Sequence, residues 1–144
     1  MFRASTVLQK NNKLYGAQNA LMDNDSNCWN SDQGEKQCFI VKFGRSVSAK
    51  KISIEFQAGF SSEFIRVFCK KADGSMWEES DEFEPEDSLE LQTFQLPAMV
   101  ECTELRIDFE DCRDFYGRIT VYRIQVWGSK AQASEPREEN DVNQ

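Results

Sequence analysis

The sequence of 144 residues contains no histidine, and this absence excludes several kinds of catalysis. A Ser–His or Cys–His pair needs the imidazole as its base, so neither pair can form. Zinc sites draw on cysteine and histidine at short spacings, and the five cysteines include no CxxC pair. We therefore expect neither a histidine-based hydrolase nor a zinc protein.

An excess of basic residues is also missing. The chain has 17 Lys and Arg against 25 Asp and Glu, which gives a formal net charge of −8. Phosphate backbones and anionic membranes repel a chain of this charge. We therefore expect no direct binding of nucleic acid.

Long apolar runs are absent as well. No stretch approaches the roughly 20 apolar residues that a membrane-spanning helix needs. The opening segment MFRASTVLQKNNK lacks the apolar core of a signal peptide. The length is that of one domain, and we expect a chain of the nucleus or cytoplasm without a membrane span.

The cysteines Cys28, Cys38, Cys69, Cys102 and Cys112 are odd in number. In a reducing compartment we interpret them as free thiols. Cys38, Cys69 and Cys102 lie in or beside apolar runs, where a buried free cysteine acts as a small hydrophobic residue.

The residues that are present favour β-strands throughout. In KISIEFQ (51–57), Ile52, Ile54 and Phe56 alternate with polar residues, as in a strand with one buried face. Further strand-like runs are CFIVKF (38–43), FIRVFCK (64–70), LQTFQLP (91–97), ELRIDFE (104–110) and RITVYRIQVWG (118–128). Because the runs are short and turn signals separate them, they predict an all-β, antiparallel sandwich or barrel.

Three local signals refine this prediction. The alternation of the last strand shifts near Tyr122, which indicates a β-bulge. Asp73-Gly74 is typical of a hairpin turn. The acidic segment 78–90 is interpreted as a solvated loop.

The end of the chain differs from its middle. Residues 129–144 include a single valine and no aromatic residue, so they cannot bury enough apolar area to offset the loss of chain entropy. We predict a folded domain over residues 1–128 and a disordered acidic tail over residues 129–144.

Two features of the sequence resemble a known superfamily. An apolar–Asp–polar turn leads into a tryptophan and a polar turn in NALMDNDSNCWNSDQGEKQCFIVKF, and GRITVYRIQVWG closes the domain with an Arg-led strand that ends in aromatic–Gly. This order resembles the discoidin, or coagulation-factor C-type, domains of the galactose-binding-like superfamily. The resemblance implies an eight-stranded, antiparallel jelly-roll β-sandwich.

Four further segments are similar to a family of small nuclear-receptor-associated proteins. They are CWNSDQG (28–34), FQAGFSS (56–62), FEPEDSLELQTF (83–94) and FEDCRDFYGR (109–118). This resemblance implies no catalytic activity, no cofactor, a nuclear or cytoplasmic location, and a protein partner such as a nuclear receptor whose transactivation is repressed.

The stretch 23–43 allows three interpretations: a metal-binding loop, a ligand-binding lip, or a folding device. Trp29 is interpreted as a core residue that closes one end of the sandwich, in preference to a residue that stacks on a ligand. The short polar residues before it favour turns because they can bond their own backbone.

The same short residues carry oxygen atoms that could hold calcium. Many members of the superfamily bind calcium at the equivalent turn, with help from an acidic residue near the end of the chain. Here Arg123 and Gln125 stand in the closing strand instead, so we expect no tight calcium site. A weak site with Asp23, Asp25 and Asn27 remains the alternative.

By resemblance, ligands are recognised by loops at one end of the sandwich. Here those loops correspond to residues 11–15, 30–36 and 59–63, with 112–117 nearby. The candidate binding residues are Tyr15, Asn30, Ser31, Asp32, Gln33, Phe60, Ser61, Ser62, Phe115 and Tyr116. Aromatic side chains would supply apolar contact area, and polar side chains would supply hydrogen bonds.

Structural alternatives exist for several of these residues. Phe60 and Phe115 could tuck under their own loops, and Ser61 and Ser62 could be simple turn residues. For Arg118, pairing with a carboxylate such as Asp111 or Asp114 is favoured over direct contact with a ligand.

We expect a non-enzymatic protein-interaction module that is monomeric on its own. The alternative is a jelly-roll domain that binds a carbohydrate or another small ligand. Paired carboxylates can hydrolyse glycosides, but acidic residues are abundant here and no pair of them stands out.

Overall fold

The computed structural model describes residues 2–22, 27–71, 74, 76–130 and 140–141. Eight strands run through these residues: Phe2–Ala4 (β1), Trp29–Asn30 (β2), Gln37–Phe56 (β3), Ser62–Lys70 (β4), Glu78–Phe83 (β5), Leu91–Cys112 (β6), Thr120–Lys130 (β7) and Asn140–Asp141 (β8). The described helices are short: a 3₁₀ helix at Leu8–Lys10, α1 at Asn12–Tyr15, and a 3₁₀ helix at Ala17–Leu21.

The strands form two antiparallel layers because β3 and β6 are long enough to contribute to both. The first part of β3 pairs with β1 and with the second part of β6, which pairs in turn with β4. β5 lies at the edge beside β4. The second part of β3 pairs with β7 and with the first part of β6. This is the antiparallel sandwich that the strand pattern predicts, in the jelly-roll form that the resemblance implies.

Register shifts mark the places where β3 bends between the layers. One lies between Lys42 and Val47 and another between Ala49 and Lys51. Gly44 lies in the first of them with a φ of 75°, a conformation that residues with a side chain rarely adopt. In β7, Val121 and Arg123 pair with consecutive residues of β3, so Tyr122 is the extra residue of a bulge. The bulge predicted near Tyr122 is confirmed.

The core fills the space between the layers with the alternating residues of the predicted strands. Ile52, Ile54 and Phe56 are fully buried, as the alternation of 51–57 predicts. Trp29 is also fully buried, and its ring lies 5.4 Å from that of Phe39. The prediction that Trp29 belongs to the core is confirmed.

The structure corrects the interpretation of the acidic segment 78–90 as a solvated loop. Its first part is not a loop but strand β5, Glu78–Phe83, which pairs with β4. Phe83 is half-buried and its ring lies 5.1 Å from that of Phe94. Across this strand pair, Arg66 of β4 faces the carboxylates of Glu79 and Glu82, at 3.4 and 2.9 Å.

Other predictions fall wholly or partly outside the described residues. Asp73 of the proposed hairpin turn lies outside them, although β4 and β5 are antiparallel as a hairpin requires. Strand β7 continues past Gly128 to Lys130, and β8 pairs with it at Trp127 and Gly128. Residues 131–139 and 142–144 of the predicted tail also lie outside the described part.

The five cysteines are free thiols in the structure, as the sequence predicts. Cys69 and Cys102 are buried, and the other three are half-buried. In the described part of the chain, no helix is both long and apolar enough to cross a membrane.

Candidate functional site

Three loops meet at one end of the sandwich, and we call this region the loop end. They are residues 31–36 between β2 and β3, residues 57–61 between β3 and β4, and residues 113–119 between β6 and β7. Backbone hydrogen bonds join them, from Gly34 N to Tyr116 O at 3.1 Å and from Arg113 N to Ser61 O at 2.9 Å. The loops predicted at 30–36, 59–63 and 112–117 are therefore neighbours in space.

Trp29 lies in the core, in strand β2 immediately before the first loop of the loop end. Its indole Nε1 donates to the carbonyl of Thr6 at 2.8 Å, and its ring lies 5.8 Å from that of Phe109. A tryptophan with its ring in the core and its N–H satisfied is held in one orientation. The loop that follows it in sequence therefore begins from a rigid base.

Gln37 is a polar side chain in the core that the sequence analysis missed. It is 1% exposed, and its Oε1 accepts from the hydroxyls of Ser5 and Thr6 at 2.6 and 2.8 Å. Its Nε2 donates to the carbonyls of Asp32 and Gly117 at 2.8 and 3.2 Å. One amide thus joins the N-terminal segment to two of the three loops.

A signal for Gln37 was present in the sequence. Gln37 occupies the same face of β3 as Phe39 and Val41, which are fully buried. A polar residue at a core position of a strand must find partners inside the protein. The pattern therefore marks Gln37 as a buried hydrogen-bonding residue, although it does not identify the partners.

Arg113 connects the third loop to Ser61 and Ser62 at the end of the second loop. It was also not identified from the sequence. Its Nη1 donates to Ser61 Oγ at 2.7 Å and to Ser62 O at 2.8 Å, and its Nη2 donates to Pro85 O at 3.1 Å. Asp87 accepts from Gly59 N and from Ser61 Oγ, both at 2.8 Å. These two hydrogen bonds, that from Gly59 first, lower the pKa of Asp87 from its ordinary value.

Arg118 pairs with Asp114, one of the two carboxylates that the sequence analysis proposed for it. The pair is bidentate, with Nε to Oδ2 at 2.8 Å and Nη2 to Oδ1 at 3.1 Å. The side-chain hydrogen bond from Arg118 is the main reason why the pKa of Asp114 is lowered. The guanidinium also lies 5.4 Å from the centres of the Phe60 and Tyr116 rings. Arg118 therefore fixes the shape of its own loop.

Gly117 allows two loops to touch. Its φ is 76°, and a Cβ at this position would lie 1.7 Å from the carbonyl oxygen of Gly34. Any side chain would push residues 113–119 away from residues 31–36. Only glycine permits this close approach.

A cleft of about 520 Å³ opens between these two loops. Phe115 and Tyr116 stand on one side, 92% and 56% exposed, with their rings 5.2 Å apart and nearly perpendicular. The lining residues are Gln33, Gly34, Glu35, Asp111, Cys112, Asp114, Phe115, Tyr116 and Gly117. We call this feature the loop cleft.

Cys112 lines the loop cleft and packs against the core. Burial, followed by the charges of Asp114 and Asp111, raises its pKa to about 11. The thiol is therefore protonated at neutral pH and is a poor nucleophile.

The predicted binding residues fall into three groups. Gln33, Phe115 and Tyr116 line the loop cleft. A second group supports the loops: Asn30, Ser31, Asp32, Phe60, Ser61 and Ser62. Tyr15 is half-exposed in α1 and does not line the cleft.

Burial and hydrogen bonds distinguish the supporting group from the residues that line the loop cleft. Ser31, Ser61 and Ser62 are 1%, 0% and 0% exposed. Ser31 Oγ accepts from Ile119 N at 2.8 Å, and Asn30 Oδ1 accepts from the hydroxyl of Thr120. Phe60 is half-buried beside Arg118. Ser61 Oγ donates to Asp87 and accepts from Arg113, whereas Ser62 contributes its carbonyl to Arg113 and its buried hydroxyl has no hydrogen-bond partner among the described residues.

The proposed calcium ligands are described only in part. Asp23 and Asp25 lie outside the described residues, whereas Asn27 is half-buried. Among the residues that are described, no group of three or more Cys, Asp or Glu side chains could hold a metal ion. The calcium alternative therefore stays a prediction about residues 23–27.

Comparisons with known proteins agree with this architecture. The family model described as Sad1/UNC-like C-terminal matches residues 4–130. The mouse protein named nuclear receptor 2C2-associated protein is 37% identical over 129 residues, which covers 90% of this chain and 91% of the relative.

Two solved structures share the fold at low sequence identity. An F5/8 type C domain from Bacteroides fragilis superposes with a TM-score of 0.76 at 15% identity, covering 90% of this chain and 91% of that one. Chitosan-binding module 1 of a Paenibacillus chitosanase/glucanase superposes with a TM-score of 0.74 at 15% identity, covering 89% and 94%. The jelly-roll fold that the resemblance to discoidin domains implies is confirmed. By the extent of these matches, the chain belongs to the Sad1/UNC-like C-terminal family and to the family of the nuclear receptor 2C2-associated proteins.

Proposed function

We propose that this protein is a non-enzymatic interaction module that binds a protein partner at the loop cleft, and that the partner is a nuclear receptor. The observation that carries the proposal is the exposure of Phe115 and Tyr116 on a loop that is otherwise tightly held. Exposed aromatic residues on a rigid support lose little entropy on binding and dominate the energies of interfaces.

The name of the relatives supports the choice of partner. The mouse relative is described as associated with nuclear receptor 2C2, and this chain matches it along most of its length. A location in the nucleus or cytoplasm and a role in repressing transcription follow as parts of the same proposal.

The test measures binding of a purified nuclear receptor 2C2 from the same organism to the purified chain. Phe115→Ala removes the most exposed aromatic side chain of the loop cleft, and we expect the Kd to rise about tenfold, typical of an interface anchor. Because the side chain is 92% exposed, the free energy of unfolding should change by less than about 0.5 kcal/mol.

Met76→Ala provides a matched control. Met76 is 77% exposed and lies outside the loop cleft, so the variant loses a large exposed apolar side chain elsewhere. We expect wild-type affinity for the receptor. Equal affinities of wild type, Phe115→Ala and Met76→Ala would contradict the proposed use of the cleft, and no binding by the wild type would contradict the choice of partner.

A carbohydrate ligand is the second candidate function. Phe115 and Tyr116 stand beside the amide of Gln33 and the carboxylates of Glu35 and Asp111, and sugars are commonly bound by an aromatic ring next to such groups. One of the structures with this fold is described as a chitosan-binding module. Titration with chitotriose and with galactose, followed by amide chemical shifts of residues 31–36 and 113–119, tests this candidate. Saturable shifts that Phe115→Ala abolishes would favour it over a protein partner.

A further inference from the structure

A second surface of the sandwich lies away from the loop cleft, on the outer side of strands β1, β3, β6 and β4. The register of the strands shows which side chains share this surface. Arg3 pairs with Ile40, Ile40 with Arg106, and Arg106 with Phe68, which forms one row across four strands. Cys38 pairs with Asp108 in the next row. Residues directly opposite each other in neighbouring strands place their side chains on the same face.

Arg106 is held at the centre of this face. Its guanidinium lies 4.2 Å from the centre of the Phe68 ring and 5.2 Å from that of Trp77. Its Nε lies 2.9 Å from Oδ1 of Asp108, and its Nη2 donates to Oδ2 at 3.2 Å. The pair with Asp108 leaves the Nη1 amino group outside it. A guanidinium held by a carboxylate and two aromatic rings needs little reorganisation to accept a further ligand.

A cavity of about 330 Å³ lies on this face, and we call it the outer-face cavity. Its lining residues are Arg3, Lys36, Gln37, Cys38, Ile40, Trp77, Arg106 and Asp108. The lining includes three cationic residues against one carboxylate, in a chain whose net charge is −8. The charge of this cavity is therefore opposite to that of the chain as a whole.

The influences on the pKa of the Cys38 thiol show how the charges around the cavity act on this residue. Burial is the main influence and raises its pKa, and the charge of Asp108 acts in the same direction. Arg106, Arg3 and Lys36 all lower the pKa. Three cations thus act on one point of the cavity, as they would on the negative charge of a ligand.

The charges also limit what the cavity can hold. Asp108 is 4% exposed and remains close to the cavity, and Lys36 already lies 3.7 Å from Glu110. These three cations and the carboxylates of Asp108 and Glu110 leave one net positive charge, which a single carboxylate neutralises and a phosphate dianion exceeds. The Trp77 ring and the side chain of Ile40 supply an apolar surface beside it.

We propose that the outer-face cavity binds an acidic residue of a peptide, with the carboxylate at Arg3, Lys36 and Arg106 and the neighbouring apolar group against Trp77. A volume of about 330 Å³ is at the lower end of the range for small-ligand pockets and suits one or two residues. The site shares no lining residue with the loop cleft, so it does not depend on the proposed function.

The test uses two peptides that differ only in charge, acetyl-Glu-Phe-amide and acetyl-Gln-Phe-amide. Each is titrated into the ¹⁵N-labelled protein, and the amide shifts of Cys38, Ile40 and Arg106 are followed. We expect saturable shifts with the Glu peptide and at least fivefold weaker binding of the Gln peptide. Inorganic phosphate, titrated separately, should bind more weakly than the Glu peptide.

The variant Arg3→Glu/Lys36→Glu tests the cations. Both side chains are exposed, so the change should preserve the fold, and we expect the Kd for the Glu peptide to rise at least tenfold because two attractions become repulsions. The matched control is Lys13→Glu/Arg45→Glu, which changes the net charge equally at exposed positions outside the cavity. We expect the Kd of the control to rise by less than about twofold.

Alkylation of Cys38 gives a second readout on the same samples. Neutral iodoacetamide should label Cys38 more slowly in the presence of the Glu peptide, since the thiol lines the cavity, and mass spectrometry locates the label. Equal binding of the two peptides, tighter binding of phosphate, equal losses in the two charge variants, or unchanged labelling of Cys38 would each overturn the proposal.

Discussion

The loop end and the outer face of β1, β3, β6 and β4 are built in different ways. The loop end depends on buried polar side chains that join distant parts of the chain, as Gln37 joins Gly117 across 80 positions. The outer face depends on cross-strand neighbours such as Ile40 and Arg106, whose positions follow from the register.

This difference predicts different responses to substitution. A buried polar side chain at the loop end satisfies several groups at once, so its removal leaves all of them without partners. A cross-strand contact on the outer face contributes about 0.2–1 kcal/mol and affects only its neighbours. The loop end should therefore lose more stability per substitution, and the loss should reach further.

Trp29→Ala should have the largest effect. Trp29 is fully buried, and its truncation leaves a cavity in the core, so we expect the free energy of unfolding to fall by about 3–5 kcal/mol. Urea denaturation measures this loss. Trp127→Ala is the matched control, because Trp127 is only half-buried, and it should cost clearly less. A loss below about 1 kcal/mol for Trp29→Ala would mean that Trp29 does not support the loop end.

Gln37→Ala should come second. It leaves the hydroxyls of Ser5 and Thr6 and the carbonyls of Asp32 and Gly117 without their shared partner. We expect a loss of about 2 kcal/mol, near the cost of unsatisfied buried polar groups.

Amide hydrogen exchange shows how far the Gln37→Ala effect spreads. Exchange should quicken for residues 31–36 and 117–119 and stay unchanged within β4, at Ile65 and Val67. Gln125→Ala, which removes the same side chain from a half-exposed position of β7, should change neither stability nor exchange appreciably. Uniform exchange changes in Gln37→Ala would show that its role is not specific to the loop end.

Trp77→Ala, on the outer face, should have the smallest effect of the three. It removes contacts with the cations of Arg106 and Lys70, whose charged groups lie 5.2 and 4.6 Å from the ring centre. Such contacts contribute about 0.5–1 kcal/mol when partly exposed, so we expect a loss near 1 kcal/mol in the same urea experiment. A loss as large as that of Gln37→Ala would remove the distinction between the two surfaces.

The strands of the core were predictable because alternation is a local pattern. Ile52, Ile54 and Phe56 alternate in the sequence and are buried in the structure, since successive side chains of a strand point to opposite faces. The bulge at Tyr122 was predictable from the same alternation, whereas the interpretation of Trp29 as a core residue depended on its large side chain. The pairing of Arg118 with Asp114 lies within a single loop, so nearby sequence contained both partners.

Strand β5 was not predictable from its own residues. EESDEF is too acidic to form a strand by its own preference. It pairs with the edge of β4, where Phe83 packs on Phe94 and Arg66 lies within reach of Glu79 and Glu82. Neighbours in space overrode local preference here.

The same contrast between local sequence patterns and contacts of distant segments applies to the candidate site. The resemblance to discoidin domains indicated the three segments of the loop end, together with residues 11–15, whose Tyr15 does not line the loop cleft. It did not separate the exposed Phe115 from the buried Ser61 and Ser62, nor did it identify Gln37 and Arg113 as the residues that hold the loops. Burial and hydrogen-bond partners depend on chain segments that only folding brings together, so the tertiary structure alone decided which side chains face solvent and which support them.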